Sequence, residues 1–237
     1  MSVSRYVTQY IPIIVRYGGL SRHPLLRKRN KHLCYKIAKR VYFSKEYNFC
    51  YFRMPKAAST TILNSLSKSI LKKDKSMIEL EKKFQKLPNT KDLNNVFKFT
   101  FVRNPVTRVL SAYLDKSRDP SFLKSHTFLN VAPGTIQGFE HFLACLEDGK
   151  LLSNLHWAPQ TEILPFEVEE IDFVGRFEKL EDDLRFCLEN IAGGDISIES
   201  SRPHQTDADN RIREYISKHS RSTIERLYSK DFEIFYP

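Results

Sequence analysis

Arg53-Met-Pro-Lys-Ala-Ala-Ser-Thr-Thr61 follows the aromatic run Asn48-Phe-Cys-Tyr-Phe and precedes Ile62, Leu63, Leu66 and Ile70. The aromatic run has the composition of a strand, Pro55 ends it, and the aliphatic positions after Thr60 recur at helical spacing. The order is strand, loop, helix. A turn in that setting aims backbone N–H groups at one point, and the helix dipole adds positive potential there. Ala57 and Ala58 keep side chains out of the way of an approaching phosphate, Ser59, Thr60 and Thr61 offer hydroxyl donors, and Lys56 adds a mobile charge. On spacing alone, two plainer readings stand beside the anion site: Thr60 as an ordinary helix N-cap and Lys56 as a surface lysine. A Walker A loop does not fit, because its glycines are missing and Lys56 precedes the turn instead of following it.

Val96-Phe-Lys-Phe-Thr-Phe-Val102 is the clearest strand in the chain. It ends in Arg103-Asn104-Pro105, where Asn104 can cap a helix and Pro105 fits its first turn. Arg103 can bind a phosphate with its planar fork, and Ser111, two turns into that helix, can donate a further hydrogen bond. Arg108 reads as a helix-face salt bridge. Two anion-ready strand ends in one sheet point to a ligand with phosphate groups at two positions.

Elsewhere, Leu33, Ile37 and Val41 suit a short helix, and Val41–Ser44 and Tyr47–Arg53 look like paired strands. The charged stretch from Lys72 to Lys83 reads as a solvated helix face. Residues 119–135 look irregular, Ile136–Leu146 helical, Ile171–Gly175 a short strand and Leu180–Ile191 an amphipathic helix. A late helix is expected from about Ala208 to Leu227. Strands alternating with helices imply an α/β fold, a three-layer αβα arrangement with a mostly parallel central sheet. Ligands of such sheets bind outside the carboxyl ends of the strands.

With 237 residues, 41% of them hydrophobic, the chain can bury one sizeable core. Eleven of its 38 Lys and Arg lie in Met1–Lys45, which has no Asp or Glu, so the other 27 face 28 acidic residues. The expected division is therefore a basic arm over 1–45 and a near-neutral catalytic domain over 46–237. Such an arm suits an anionic lipid surface, an anionic polymer or a transit peptide as well as a flank packed on the domain. Tyr10–Val15 is too short to span a bilayer, and no secretory cleavage pattern follows it. Cys34, Cys50, Cys145 and Cys187 form no C-x-x-C pair, so neither a zinc site nor a disulfide framework is expected, and a cytoplasmic location is the default.

Taken together these segments resemble the PAPS-dependent sulfotransferases, in particular the Golgi carbohydrate group with its chondroitin and dermatan 4-O-sulfotransferases, and their bacterial relatives. The resemblance runs from about Val41 to Tyr236. Pro55–Thr61 looks like the family's 5′-phosphosulfate loop, and Phe101–Pro105 with Arg108 and Ser111–Tyr113 looks like its 3′-phosphate element. His156-Trp-Ala-Pro159, Asp172–Gly175 with Phe177-Glu178, and Tyr228–Tyr236 follow as further landmarks in the family's order. Asn104 stands where the family often has Asp, and the membrane span with which its Golgi members begin is not seen.

The resemblance implies a P-loop-NTPase-like sulfotransferase fold and transfer of a sulfuryl group from 3′-phosphoadenosine-5′-phosphosulfate (PAPS) to a hydroxyl of a carbohydrate or of a small secondary metabolite. Lys56 and the loop Ala57–Thr61 are expected to hold the 5′-phosphosulfate, and Arg103 and Ser111 the 3′-phosphate, without a metal and without nucleic acid as partner. In-line displacement needs positioning and charge stabilisation, so Lys56 is expected to be catalytic. His156 is the expected general base, with His126, His141, His204 and a carboxylate near Glu79 and Glu81 as the other candidates. A P-loop-like kinase and a non-enzymatic polyanion or membrane-surface binder are the competing readings.

Overall fold

Four short strands, β1 (Val41–Ser44), β2 (Phe49–Phe52), β3 (Phe97–Val102) and β4 (Phe173–Arg176), lie side by side in that order. β1 pairs antiparallel with β2, while β2 with β3 and β3 with β4 are parallel. This is a mixed, mainly parallel α/β sheet. The computed structural model describes residues 20–72, 76–194, 196–198 and 207–237.

Aromatic residues at alternate positions make one face of the sheet, as the two-residue period of a strand requires. Tyr51 stacks on Phe99 at 4.9 Å between ring centroids, and Phe101 meets Phe173 edge to face at 6.4 Å. Gly175 is the exception that lets this ladder close. A Cβ there would stand 2.5 Å from the Phe101 ring, so no larger residue fits without moving it.

The connections are helical, as right-handed parallel crossovers demand. A short α1 (Cys34–Ala38) leads into β1. α2 (Ser59–Leu71) and α3 (Met77–Phe84) follow β2, and α4 (Pro105–Lys116) follows β3. Then come α5 (Pro120–Ser125), α6 (Ile136–Cys145) and α7 (Gln160–Ile163). α8 (Leu180–Ala192) follows β4, and α9 (Ile212–Tyr215), α10 (Lys218–Leu227) and α11 (Ser229–Phe235) end the chain. One core packs around the sheet with α2 and α8. A second forms around α4, where Val109, Leu110 and Tyr113 meet Phe139, Phe142, Trp157 and Ile224. Leu26, Leu33, Cys34 and Ile37, from the basic N-terminal part, are buried in the sheet core.

Several local expectations change. Of the two places expected for Val41, the strand is the one it takes: the helix ends at Ala38 and Val41 opens β1 over the expected Val41–Ser44. Residues 119–135 are not irregular throughout, because Asp119 caps α5 by accepting from the backbone N–H groups of Ser121 and Phe122 at 2.9 and 3.2 Å. The late helix is broken where Ser217, extended and not helical, caps α10 by accepting from Ser220 N at 3.1 Å. Among the described residues no helix is long and apolar enough to cross a membrane.

Candidate active site

The loop after β2 curls by placing Lys56 and Ala58 in the left-handed region, with φ of +67° and +55°. Ala57 between them keeps an ordinary negative φ, and such alternation turns successive N–H groups to one side. Ala58, not Thr60, is the N-cap of α2, and a methyl side chain cannot accept from the first-turn amides. The first turn of α2 therefore has no side-chain cap from its N-cap residue.

The end of β3 is built differently. Asn104 Oδ1 accepts from Val106 N at 3.0 Å and Pro105 occupies the first helical position, so α4 caps itself. What reaches out is the Arg103 side chain. Its Nε donates to Thr107 Oγ1 at 3.0 Å, Nη1 to the Lys56 carbonyl at 3.3 Å and Nη2 to Asp209 at 2.7 Å, and its guanidinium lies 4.0 Å over the Phe177 ring. The Arg103 backbone is pinned by a reciprocal pair with Gln160, whose Oε1 accepts from Arg103 N at 2.9 Å and whose Nε2 donates to Arg103 O at 3.0 Å. Asp231 of α11 in turn accepts from the backbone N–H groups of Gln160 and Thr161. The C-terminal segment thus holds a strand end far away in sequence.

Both elements open on one cavity of about 340 Å³. Lys56, Ala58, Ser59, Thr60, Thr61, Arg103, Ser111 and His156 all line it. Ala57 does not, because its side chain is buried in the sheet core. Arg40, Arg53 and Lys116 add positive charge to the walls, against the carboxylates of Asp115, Asp207 and Asp209.

Lys56 is not a surface lysine. Its side chain is 10% exposed, and its Nζ lies 3.2 Å from Asp115. Burial lowers the Lys56 ammonium from its ordinary range, and Asp115 partly restores it. Burial raises Asp115, yet Lys56 and Lys116 outweigh it and hold this carboxyl below the usual range. The pair was missed in the sequence, although Thr107, Ser111 and Asp115 fall four residues apart on one face of α4 and the spacing was there to be read.

Arg108 makes no helix-face salt bridge. It is fully buried and donates to the carbonyls of Pro55 at 3.1 Å, Ala158 at 2.8 Å and Leu155 at 3.0 Å. Its planar fork ties the loop after β2 to the segment carrying His156. Burial first, then Lys116, Arg40, Lys56 and Arg108, hold the His156 imidazole well below the ordinary histidine range. The rival bases fare differently. Glu79 closes a capping box with Ser76, and Glu81 sits 3.5 Å from Arg53. His126 and His141 do not line the cavity, and His204 lies outside the described residues.

The family model described as "Sulfotransferase family" matches residues 39–237. Among curated proteins, human carbohydrate sulfotransferase 9 is 26% identical over 74% of this chain and 44% of its own length. Carbohydrate sulfotransferase 10 of Xenopus laevis is 26% identical over 84% of this chain and 67% of its own. Carbohydrate sulfotransferase 14 of Danio rerio is 31% identical over 42% of this chain and 31% of its own. The chain thus spans less than half of the first of these relatives and two thirds of the second. No solved structure matches it. With the family model covering most of the chain, the protein belongs to the sulfotransferase family.

Proposed function

We propose that the chain transfers a sulfuryl group from PAPS to a hydroxyl of a carbohydrate acceptor. One observation carries the reading: two strand ends suited to phosphate, one a helix start without a side-chain cap and one bearing a guanidinium, line a single cavity. The donor set fits a ligand with separate 5′ and 3′ phosphates. The first-turn amides of α2, Ser59, Thr60, Thr61 and Lys56 would hold the 5′ side, and Arg103 with Ser111 the 3′ side. PAPS supplies an activated sulfuryl group whose leaving oxygen gathers negative charge on departure.

Lys56 carries its charge into a poorly solvated site, where it stabilises that developing charge more than it could in water. His156 accepts the acceptor's proton. A base held in its neutral form at pH 7 is competent for this without prior deprotonation. The reading of the acceptor as a sugar draws on the names of the relatives, and a small-molecule hydroxyl is the alternative.

The test is a thermal shift with PAP, the desulfated product, against ATP, followed by radiolabelled PAPS with glycans, phenols and polar small molecules. A ligand that binds only the folded state at 100 times its Kd adds about 2.7 kcal/mol. At this chain length that amounts to roughly 5–10 °C. A well-folded sample that ignores PAP, or responds equally to ATP, removes the reading.

A further inference from the structure

Behind His156 lies a chain of polar groups that the scheme above does not use. Asn154 is buried, and its Oδ1 stands 2.8 Å from His156 Nδ1 and 3.1 Å from the His156 backbone nitrogen. The backbone N–H can only donate, so it fixes which end of the amide faces His156. An amide oxygen accepts and cannot donate. The His156 Nδ1 therefore carries the hydrogen, and Nε2 carries the lone pair. Among the described residues Nε2 has no hydrogen-bond partner.

The other end of the amide is anchored as well. Asn154 Nδ2 lies 3.3 Å from His126 Nε2 and donates to it, which leaves His126 Nδ1 as a donor, with the Ser125 hydroxyl oxygen at 2.9 Å and the Phe122 carbonyl at 3.2 Å to accept. The His126 ring is clamped, stacked on Phe122 at 4.1 Å and edge-on to Trp157 at 5.6 Å. One pattern of hydrogens satisfies both imidazoles and the amide at once. Turning the amide over would put donors against the His156 backbone N–H and against Nδ1–H, and would leave His126 Nε2 facing an oxygen.

We propose that Asn154 is a positioning residue, anchored by His126, that fixes His156 in the Nδ1–H tautomer so that Nε2 is the proton acceptor. This rests on reading His156 as the general base. In the opposite tautomer the lone pair would face Asn154 and the cavity would meet an N–H, which cannot take a proton.

The test is NMR of the full chain with 15N-labelled histidine, the His156 signals being assigned by their loss in His156→Gln. The expected result is a protonated Nδ1 and an unprotonated Nε2 in the wild type. A protonated Nε2 overturns the proposal outright, with no further variant needed. Asn154→Leu should lose the fixed tautomer and lower kcat roughly 10- to 100-fold, less than the 10²–10⁴-fold that losing the general base itself would cost. Its thermal shift with PAP should be unchanged. Asn154→Asp still accepts from Nδ1–H and should recover most of kcat, a rescue that a packing role would not give. Asn154→Leu with the wild-type tautomer and wild-type kcat overturns the positioning role. The Asp variant and the wild-type spectrum decide the matter if the Leu variant does not fold. Normal turnover by His156→Gln overturns the base assignment beneath the proposal, and a missing PAP shift separately identifies failure of the donor reading.

Discussion

At the end of β2 the chain leaves the first turn of α2 uncapped and holds two non-glycine residues at positive φ, whereas at the end of β3 Asn104 and Pro105 close the first turn of α4. Both are strand-to-helix junctions at the carboxyl edge of the same sheet. The first does without a side-chain cap and accepts strain of the order of 1 kcal/mol per left-handed residue. The second satisfies its own backbone and presents a side chain, one that Thr107, Phe177 and Gln160 hold in place. Under the proposed function one anion site is made of backbone and the other of side chain, and the two should respond differently to substitution.

The largest effects should separate the two in kinetics. Lys56→Ala should lower kcat at least about 100-fold, the scale of losing one donor to a developing charge in a poorly solvated site. Arg103→Ala should lose at least as much in kcat/KM, but through PAP binding, and Arg103→Lys should recover little because the fork and the contact with Phe177 go with the guanidinium. Steady-state rates and PAP titrations, with circular dichroism to check folding, would show this. Near-normal turnover in either alanine variant takes that residue out of the site.

A second effect belongs to His156, which lies between the two elements. Its folded-state pKa is depressed, so below about pH 6.5 the unfolded chain takes up a proton that the folded protein refuses. Stability from this group is present at pH 7 and is lost as pH falls from 6.5, by at most about 1.4 kcal/mol per unit. Denaturation of the ligand-free protein at pH 7 and 5.5 should show the loss, and His156→Gln should lessen it. An equal loss in the variant would mean that the imidazole titrates normally.

Much of this contrast was legible in the sequence. Pro55 after an aromatic run, and Asn104-Pro105 after another, marked both junctions, and the residues singled out there, Ser59–Thr61 and Ser111, line one cavity. The Asp119-Pro120 pair carried the same capping signal as Asn104-Pro105, and it opens α5 within a stretch that looked irregular. Other features had no local signal. Arg108 is charged and sits on a helix, yet its partners are three carbonyls from two distant segments, and nothing near it in sequence announces burial. The reciprocal hold of Gln160 on Arg103, and of Asp231 on Gln160, depends on chain closure. Both are tertiary facts.

The capped junction should show an ordinary capping cost. Asn104→Ala removes the acceptor for Val106 N and should cost about 1 kcal/mol, lowering Tm by roughly 2–4 °C. PAP affinity should not change, because the proposed 3′ contact is the Arg103 side chain and the first turn of α4 is capped by Asn104 itself. A tenfold loss of PAP affinity without loss of Tm would reverse the roles given to cap and side chain.

The smallest effect is the sharpest probe of the uncapped junction. Ala58→Gly relieves the left-handed strain at φ +55°, about 1 kcal/mol, but frees the unfolded chain by about 0.4–1 kcal/mol, and the two oppose. Net stability should stay within about 0.5 kcal/mol of wild type. Ala58→Val should be clearly worse, since a β-branched residue tolerates positive φ poorly and Ala58 lines the cavity that its added methyl groups would enter. Denaturant midpoints for the pair therefore read the backbone strain by itself. If Gly costs as much as the Asn104→Ala cap loss, Ala58 is not strained, and the first junction is held by its neighbours without backbone strain at that residue.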